Sequence, residues 1–261
     1  MGKNKLRKFA EMETIDLVFQ YPFGRLQKEG FDTFPLKGKW GAEFFGNKNP
    51  IVLELGCGKG EYTVGLAQLY PDKNFIGIDI KGARMHSGAT QARDLGLKNV
   101  AFLRTSIELL ETFFAPNEVS ELWITFPDPQ MKKVSKRLTG TRFMGLYRKV
   151  MSEGGIVRLK SDSPFLYSYT RAMVELNGLH KEVDTDDLYH SDIVNPILQI
   201  RTHYESQWLA RGLTIKYLAF ALDHATELKE PEDDFERDTY RSYSRGYIEK
   251  MIEPDTTSET L

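Results

Sequence analysis

The chain has little cysteine and no long apolar segment. Cys57 is the single cysteine among 261 residues, which excludes an intramolecular disulfide framework and suits a reducing cytosol. No apolar run approaches the roughly 20 residues of a membrane-spanning helix. The N-terminal residues are basic without an apolar core behind them, so we expect no secretory signal and no membrane contact. These features favour a cytoplasmic protein.

Sequence patterns typical of metal sites are also lacking. The five histidines are scattered, and there is neither an HExxH motif nor a second cysteine to pair with Cys57. We therefore expect no metal cofactor. The sequence leaves the oligomeric state open between monomer and homodimer.

Charge is distributed unevenly although the net charge is only −2. No acidic residue lies between Asp128 and Glu153, and the C-terminal stretch from Glu227 is rich in acids. The interval contains seven basic residues, Lys132, Lys133, Lys136, Arg137, Arg142, Arg148 and Lys149, and a second basic group is formed by Lys3, Lys5, Arg7 and Lys8. A near-neutral total can therefore hide a basic face able to bind a polyanion.

Apolar runs typical of buried strands alternate with amphipathic stretches typical of helices. Strands are predicted over residues 51–55, 74–80, 100–104, 121–126 and 156–160, with further candidates at 179–184 and 213–222 that would close the sheet with an antiparallel edge. Helices are predicted over residues 61–69, 83–95, 107–114, 142–151 and 164–177. This alternation predicts one α/β domain over 51–223. Residues 1–50 would form a basic arm, mobile over 1–12, and an irregular extension packed on the core, and 224–261 an acidic extension.

The predicted domain opens with a strand, a glycine-rich turn and a helix, IVLELGCGKGEYT. Ligands of such folds bind outside the carboxyl end of the first strand, where Gly56 and Gly58 let the backbone approach closely. Asp79, at the end of the second strand, is suited to accept hydrogen bonds from ribose hydroxyls. Glu54 is poorly placed for an anionic pyrophosphate and suits the positively charged S-adenosylmethionine. A dinucleotide remains an alternative, as does a purely structural, salt-bridged Glu54.

A second motif, TFPDPQMKK, follows the fourth predicted strand. Two prolines flank Asp128, and because proline fixes its own φ and restricts the preceding residue, the carboxylate is held in one direction. Such rigidity is useful for aiming an acid at a substrate. The lysines behind it, in an interval without acids, favour contact with phosphates over an ordinary solvated surface.

The segments LELGCGKGEYT, GIDIKGAR, FPDPQMKK and RTHYE, in this order and spacing, resemble the bacterial tRNA (guanine-N7-)-methyltransferase family over about residues 9–222. The resemblance implies a class I S-adenosylmethionine-dependent methyltransferase. Its Rossmann-like sheet would have seven strands in all, mostly parallel, of which the last is antiparallel. It also implies S-adenosylmethionine as co-substrate and tRNA as partner.

The resemblance also implies roles for individual residues. The cofactor would be bound by Glu54, Gly56, Gly58, Asp79, Thr105 and Asp128. Asp128 would be the catalytic carboxylate between cofactor and guanine, and substrate would be bound by Lys132, Asp162, Thr202, His203, Tyr204 and Glu205. Family members often have aspartate or asparagine at the position of Thr105, and tryptophan and histidine at those of Gln130 and Met131.

The activity implied is methylation of N7 of a guanosine in the variable loop of tRNA. One alternative is an S-adenosylmethionine-dependent methyltransferase acting on another RNA, a protein or a small molecule. Others are an RNA-binding module without activity and, least favoured by the early third glycine, a dehydrogenase.

Overall fold

The computed structural model describes residues 3–193, 195–225 and 227–239, except the side chains of 3–5, 197, 199, 203 and 204. The strands are β1 Val18–Gln20, β2 Ile51–Leu55, β3 Asn74–Ile78, β4 Val100–Arg104, β5 Val119–Thr125, β6 Met151–Ser161, β7 Lys181–Thr185 and β8 Lys216–Leu222. The α-helices are α1 Lys3–Glu13, α2 Phe23–Glu29, α3 Glu61–Leu69, α4 Gly82–Asp94, α5 Leu110–Phe113, α6 Thr141–Arg148, α7 Pro164–Leu176 and α8 His203–Leu209, and one π-helical turn covers Trp40–Phe45.

The strands form one sheet in the order β1-β4-β3-β2-β5-β6-β8-β7. Only β8 runs antiparallel to its neighbours, β6 and β7, so the predicted mostly parallel sheet with an antiparallel last strand is confirmed. Every residue of β2 and of β3 is buried, as expected for parallel strands covered on both faces. The carboxyl ends of β2 to β5 therefore share one edge of the sheet.

The prediction of seven strands was wrong by one, because Val18–Gln20 adds an eighth at the edge. This strand pairs in parallel with β4. It has only three residues, too few for an alternating pattern to be visible in the sequence. The extension that contains it supplies Trp40 to the main core, where the indole Nε1 donates a hydrogen bond to the Phe113 carbonyl at 3.0 Å.

Residues 3–13 form a helix, not the mobile arm expected from their charge. Met12 of α1 is fully buried among residues of the second core cluster. Glu11 contacts the ring of His86 on α4, with 2.6 Å between the carboxylate and Nε2. The apolar face of α1 thus lies against α4. Across the described residues, no helix is both long and apolar enough to cross a membrane.

Helix α4 packs unusually close to the glycine-rich turn. A Cβ added to Gly88 would lie 2.6 Å from the Lys59 carbonyl oxygen and 2.9 Å from the Gly60 Cα. Gly60 itself has φ +74°, in the left-handed region that favours glycine, where it begins α3. The position of the turn therefore depends on the absence of a side chain at Gly88.

Gly88→Ala is expected to destabilise the protein by about 1–3 kcal/mol, because backbone atoms of the turn would have to move. Gly145→Ala is the matched control: a Cβ at this α6 position meets nothing within 4 Å, so the substitution should stabilise the helix by about 0.5–1 kcal/mol. Urea denaturation of the two variants measures both effects. Equal stability of the variants would contradict the close packing at Gly88.

Candidate active site

An open cleft of about 420 Å³ lies at the carboxyl edge of the parallel strands. Four of the residues predicted from the sequence line it: Gly56, Asp79, Thr105 and Asp128. They follow β2, β3, β4 and β5 respectively. Residues far apart in the chain are thus brought together because parallel strands end at one edge.

Asp79 is held in a fixed orientation at the mouth of the glycine turn. One carboxylate oxygen accepts a hydrogen bond from the Gly58 N–H at 2.9 Å, and the other accepts one from the Lys81 N–H at 2.6 Å. Ile80, the next residue, lines the cleft with 62% of its surface exposed. A carboxylate fixed in this way can accept hydrogen bonds from ribose hydroxyls, and the exposed apolar side chain beside it can cover a planar base.

Thr105 carries a polar group that the protein leaves unsatisfied. Its Oγ1 is buried and has no hydrogen-bond partner, although the residue lines the cleft. Buried hydroxyls normally have a partner, so a polar ligand atom would remove this cost. Thr105, Asp79 and Ile80 together therefore fit a nucleoside.

Glu54 is buried behind the cleft wall and does not line the cleft. Its carboxylate accepts hydrogen bonds from the Thr63 N–H at 2.8 Å, the Thr63 hydroxyl and, at 2.7 Å, the Thr125 hydroxyl. Gly77, beside Glu54 on β3, leaves room for this: a Cβ there would lie 2.7 Å from the Thr63 Oγ1. Burial raises the pKa of Glu54 to about 7 against the opposing effect of these donors. Direct contact of Glu54 with a cofactor stays a prediction.

The loop that carries Asp128 is strained at both ends. Phe126 and Gln130 both have φ 49°, in the region that non-glycine residues rarely adopt. The Gln130 N–H donates to the Asp128 carboxylate at 3.0 Å, which closes a local turn. The Asp128 side chain is exposed and borders both the cleft and a second cavity of about 640 Å³.

Arg137 is the buried residue that holds this loop. Its guanidinium donates to the carbonyls of Gln130 at 3.2 Å and Met131 at 3.0 Å. The same group lies over the rings of Phe165, 4.7 Å from the centroid, and Tyr169, 4.4 Å from the centroid. Arg137 therefore fixes the loop against α7 and does not belong to the phosphate-binding surface expected from the sequence.

In the folded chain, acidic side chains from outside the basic interval neutralise part of its positive charge. Lys136 and Arg142 both pair with Glu108, and Lys149 pairs with Glu111. These partners come from the preceding segment of the chain, so their neutralising effect is invisible in the interval itself. The two lysines that line the second cavity are Lys132 and Lys133, and neither has an ion-pair partner within the described parts of the chain.

Of the other residues predicted on the substrate side, Asp162, Thr202 and Glu205 line neither cavity. Asp162 follows β6 and is fully buried. Thr202 and Glu205 form a reciprocal cap of α8, and Glu205 also accepts from Lys160 Nζ at 2.8 Å and from the Tyr189 hydroxyl at 2.7 Å. Their substrate roles stay predictions.

His203 and Tyr204 begin α8, but their side chains lie outside the described part of the structure. Two residues that the structure brings to the cavities were not predicted as site residues. Ile80 was expected within the buried strand 74–80, whereas β3 ends at Ile78 and Ile80 is exposed in the cleft. Arg237 in the second cavity carried no local signal. Of the residues that the structure describes, no group of three or more His, Cys, Asp or Glu side chains is placed to hold a metal ion.

The fold and the cleft together define a Rossmann-like α/β methyltransferase. Solved structures share the fold: a 16S rRNA (adenine(1408)-N(1))-methyltransferase variant with cosubstrate SAM from Catenulisporales acidiphilia has a TM-score of 0.53 at 15% identity, covering 76% of this chain and 93% of that one. An antibiotic-related methyltransferase has a TM-score of 0.52 at 18% identity, covering 74% and 96%. The family model for "Putative methyltransferase" matches residues 48–218.

Sequence relatives define the family more narrowly. The tRNA (guanine-N(7)-)-methyltransferase of Bacteroides fragilis is 59% identical over 246 residues, covering 94% of this chain and 96% of that protein. The enzyme of the same name from Porphyromonas gingivalis is 63% identical over 237 residues, covering 90% and 97%. The chain belongs to the tRNA (guanine-N7-)-methyltransferase family.

The raised pKa of Glu54 predicts a pH-dependent stability. An acid with a pKa of 4.5 when unfolded and about 7 when folded binds more protons in the folded state between these values. The wild-type protein should therefore lose stability, on the order of 1–3 kcal/mol, as pH rises from about 4.5 to about 7. Glu54→Gln should lack this loss. Urea denaturation of both proteins without ligand, over that pH range, measures the difference, and parallel pH profiles would contradict the prediction.

Proposed function

We propose that this protein transfers a methyl group from S-adenosylmethionine to N7 of a guanosine in the variable loop of tRNA. One observation carries the proposal: Asp128 borders two cavities, one suited to a nucleoside and the other lined by Lys132 and Lys133. Methyl transfer needs donor and acceptor on opposite sides of the moving methyl group. The two cavities that share Asp128 would hold the methyl donor in one and the guanosine in the other.

The cleft residues fit the nucleoside part of S-adenosylmethionine. Asp79 would accept hydrogen bonds from the ribose hydroxyls, Ile80 would cover a face of the adenine, and the unsatisfied hydroxyl of Thr105 would contact its polar edge. The bound co-substrate supplies the methyl group on a positively charged sulfur. Glu54, behind Gly56, would add negative charge near the cationic end when ionised, and it fixes Thr63 and Thr125 around the turn.

The protein needs no general base for this reaction, because guanine N7 has a lone pair and carries no proton. Positive charge moves from sulfur to the guanine ring during transfer. The carboxylate of Asp128 stabilises that charge in the transition state and, through its rigid loop, orients the base. It also suits the N1–H and N2–H₂ donors of guanine, which adenine does not present in that arrangement. Lys132 and Lys133 would hold the neighbouring phosphates.

The direct test is incubation of the purified protein with methyl-labelled S-adenosylmethionine and unmodified tRNA, followed by mapping of the modified nucleoside. The proposal expects 7-methylguanosine at one position of the variable loop. Methylation of another RNA or of a small molecule, with none on tRNA, would overturn the substrate assignment. Failure to bind S-adenosylmethionine would leave an RNA-binding module without methyltransferase activity.

Asp128→Asn is expected to lower kcat by about 10²-fold or more, because the carboxylate charge is lost while the amide oxygen still accepts from the Gln130 N–H. Asp72→Asn, at an exposed acid outside both cavities, is the matched control. Single-turnover methylation, with saturating enzyme in excess over tRNA and with saturating S-adenosylmethionine, measures the chemical step. If Asp128→Asn retains the rate of the control, Asp128 is not catalytic.

A further inference from the structure

The acidic C-terminal extension is anchored on the domain near the second cavity. Glu230 accepts hydrogen bonds from the Thr141 hydroxyl at 2.6 Å and from the Tyr169 hydroxyl. Phe235 packs edge-on against Phe165 and Tyr169, with centroids 6.2 and 5.7 Å apart. The stretch 227–239 contains neither helix nor strand, so contacts such as these fix its path.

Asp238 fixes the end of this segment. Its carboxylate accepts from the Ser163 hydroxyl at 2.5 Å and from the Phe165 N–H at 3.1 Å, at the beginning of α7. Only 6% of its surface is exposed. An acid at a helix N-terminus satisfies N–H groups that have no partner within the helix and interacts favourably with the helix dipole. Two acids of the extension, Glu230 and Asp238, are thus engaged in holding it down.

Arg237 stands next to this anchor and lines the second cavity. The loop with Asp128, Lys132 and Lys133 lines the same cavity. Asp238 also borders the cavity, but its carboxylate is bound at the start of α7. Three cations therefore surround a cavity of about 640 Å³ that shares Asp128 with the cofactor cleft. A guanidinium in such a position presents a planar fork of donors that matches the oxygens of a phosphate.

We propose that Arg237 binds a phosphate of the RNA strand next to the target guanosine, so that the C-terminal segment forms one wall of the substrate site. This inference rests on the proposed function, since it takes the second cavity as the place where the RNA nucleotide enters. Net charge alone would make the acid-rich extension repel RNA. In the structure, however, two of its acids, Glu230 and Asp238, are bound to the domain, and its arginine lines the cavity.

The test compares Arg237→Gln with Lys229→Gln. Both variants remove one positive charge from the same segment, but Lys229 is exposed and does not line the cavity, and its backbone contacts to Asn177 do not involve its side chain. Arg237→Gln should raise the Kd and KM for tRNA by about tenfold or more. It should also reduce the dependence of log Kd on log salt concentration by about one phosphate contact. Lys229→Gln should behave as wild type.

If Arg237 only stabilised the fold, Arg237→Gln would lower the affinity for S-adenosylmethionine and the thermal unfolding temperature. Both should be unchanged in this variant. Three results would overturn the inference: equal tRNA affinity of the two variants, an unaltered salt dependence, or parallel losses in S-adenosylmethionine and tRNA binding. Direct measurement of tRNA binding keeps this test separate from the proposed function, which fails if the wild-type protein does not form 7-methylguanosine.

Discussion

The Asp128 loop and the second cavity depend on the contacts of one buried guanidinium, that of Arg137. It joins the carbonyls of Gln130 and Met131 to the rings of Phe165 and Tyr169, and so binds the Asp128 loop to α7. The same two rings receive Phe235 from the C-terminal segment. Both chain segments that line the second cavity are thus fixed to one aromatic pair. The exposed carboxylate of Asp128 is directed in this way, because the residues that support its loop are buried even though it is not.

A comparable arrangement of buried polar groups lies behind the cleft. Glu54 joins β2 to Thr63 of α3 and to Thr125 at the end of β5, immediately before the loop that carries Asp128. Farther along the sheet, the buried pair Lys160–Glu205 joins β6 to the cap of α8. Breaking such a pair leaves an uncompensated buried charge, so Glu205 has a structural role whether or not it touches a ligand.

The sequence predicted those features whose residue pattern lies within one short segment. The buried strands 51–55 and 100–104 and the helix over 61–69 match the structure, because their apolar patterns lie within one segment. The cleft was predictable in outline, since parallel strands bring Gly56, Asp79, Thr105 and Asp128 to one edge. Contacts between distant segments of the chain were not predictable from the sequence. The ordering of α1 against α4, the pairing of Lys136 with Glu108, and the place of Arg237 each depend on tertiary packing that no local pattern encodes.

Electrostatics shows why this distinction matters for RNA binding. Seven basic residues in an acid-free interval suggest a broad phosphate-binding face, yet Glu108 and Glu111 pair with three of them and Arg137 is buried. The cations around the second cavity are Lys132, Lys133 and Arg237. Three phosphate contacts to a single strand correspond to a slope of only about −2 in log affinity against log salt concentration. In the proposed complex such a site would position one nucleotide. Affinity for a whole tRNA would then draw on further surfaces, and the cavity beside Asp128 would supply chiefly the alignment for methyl transfer.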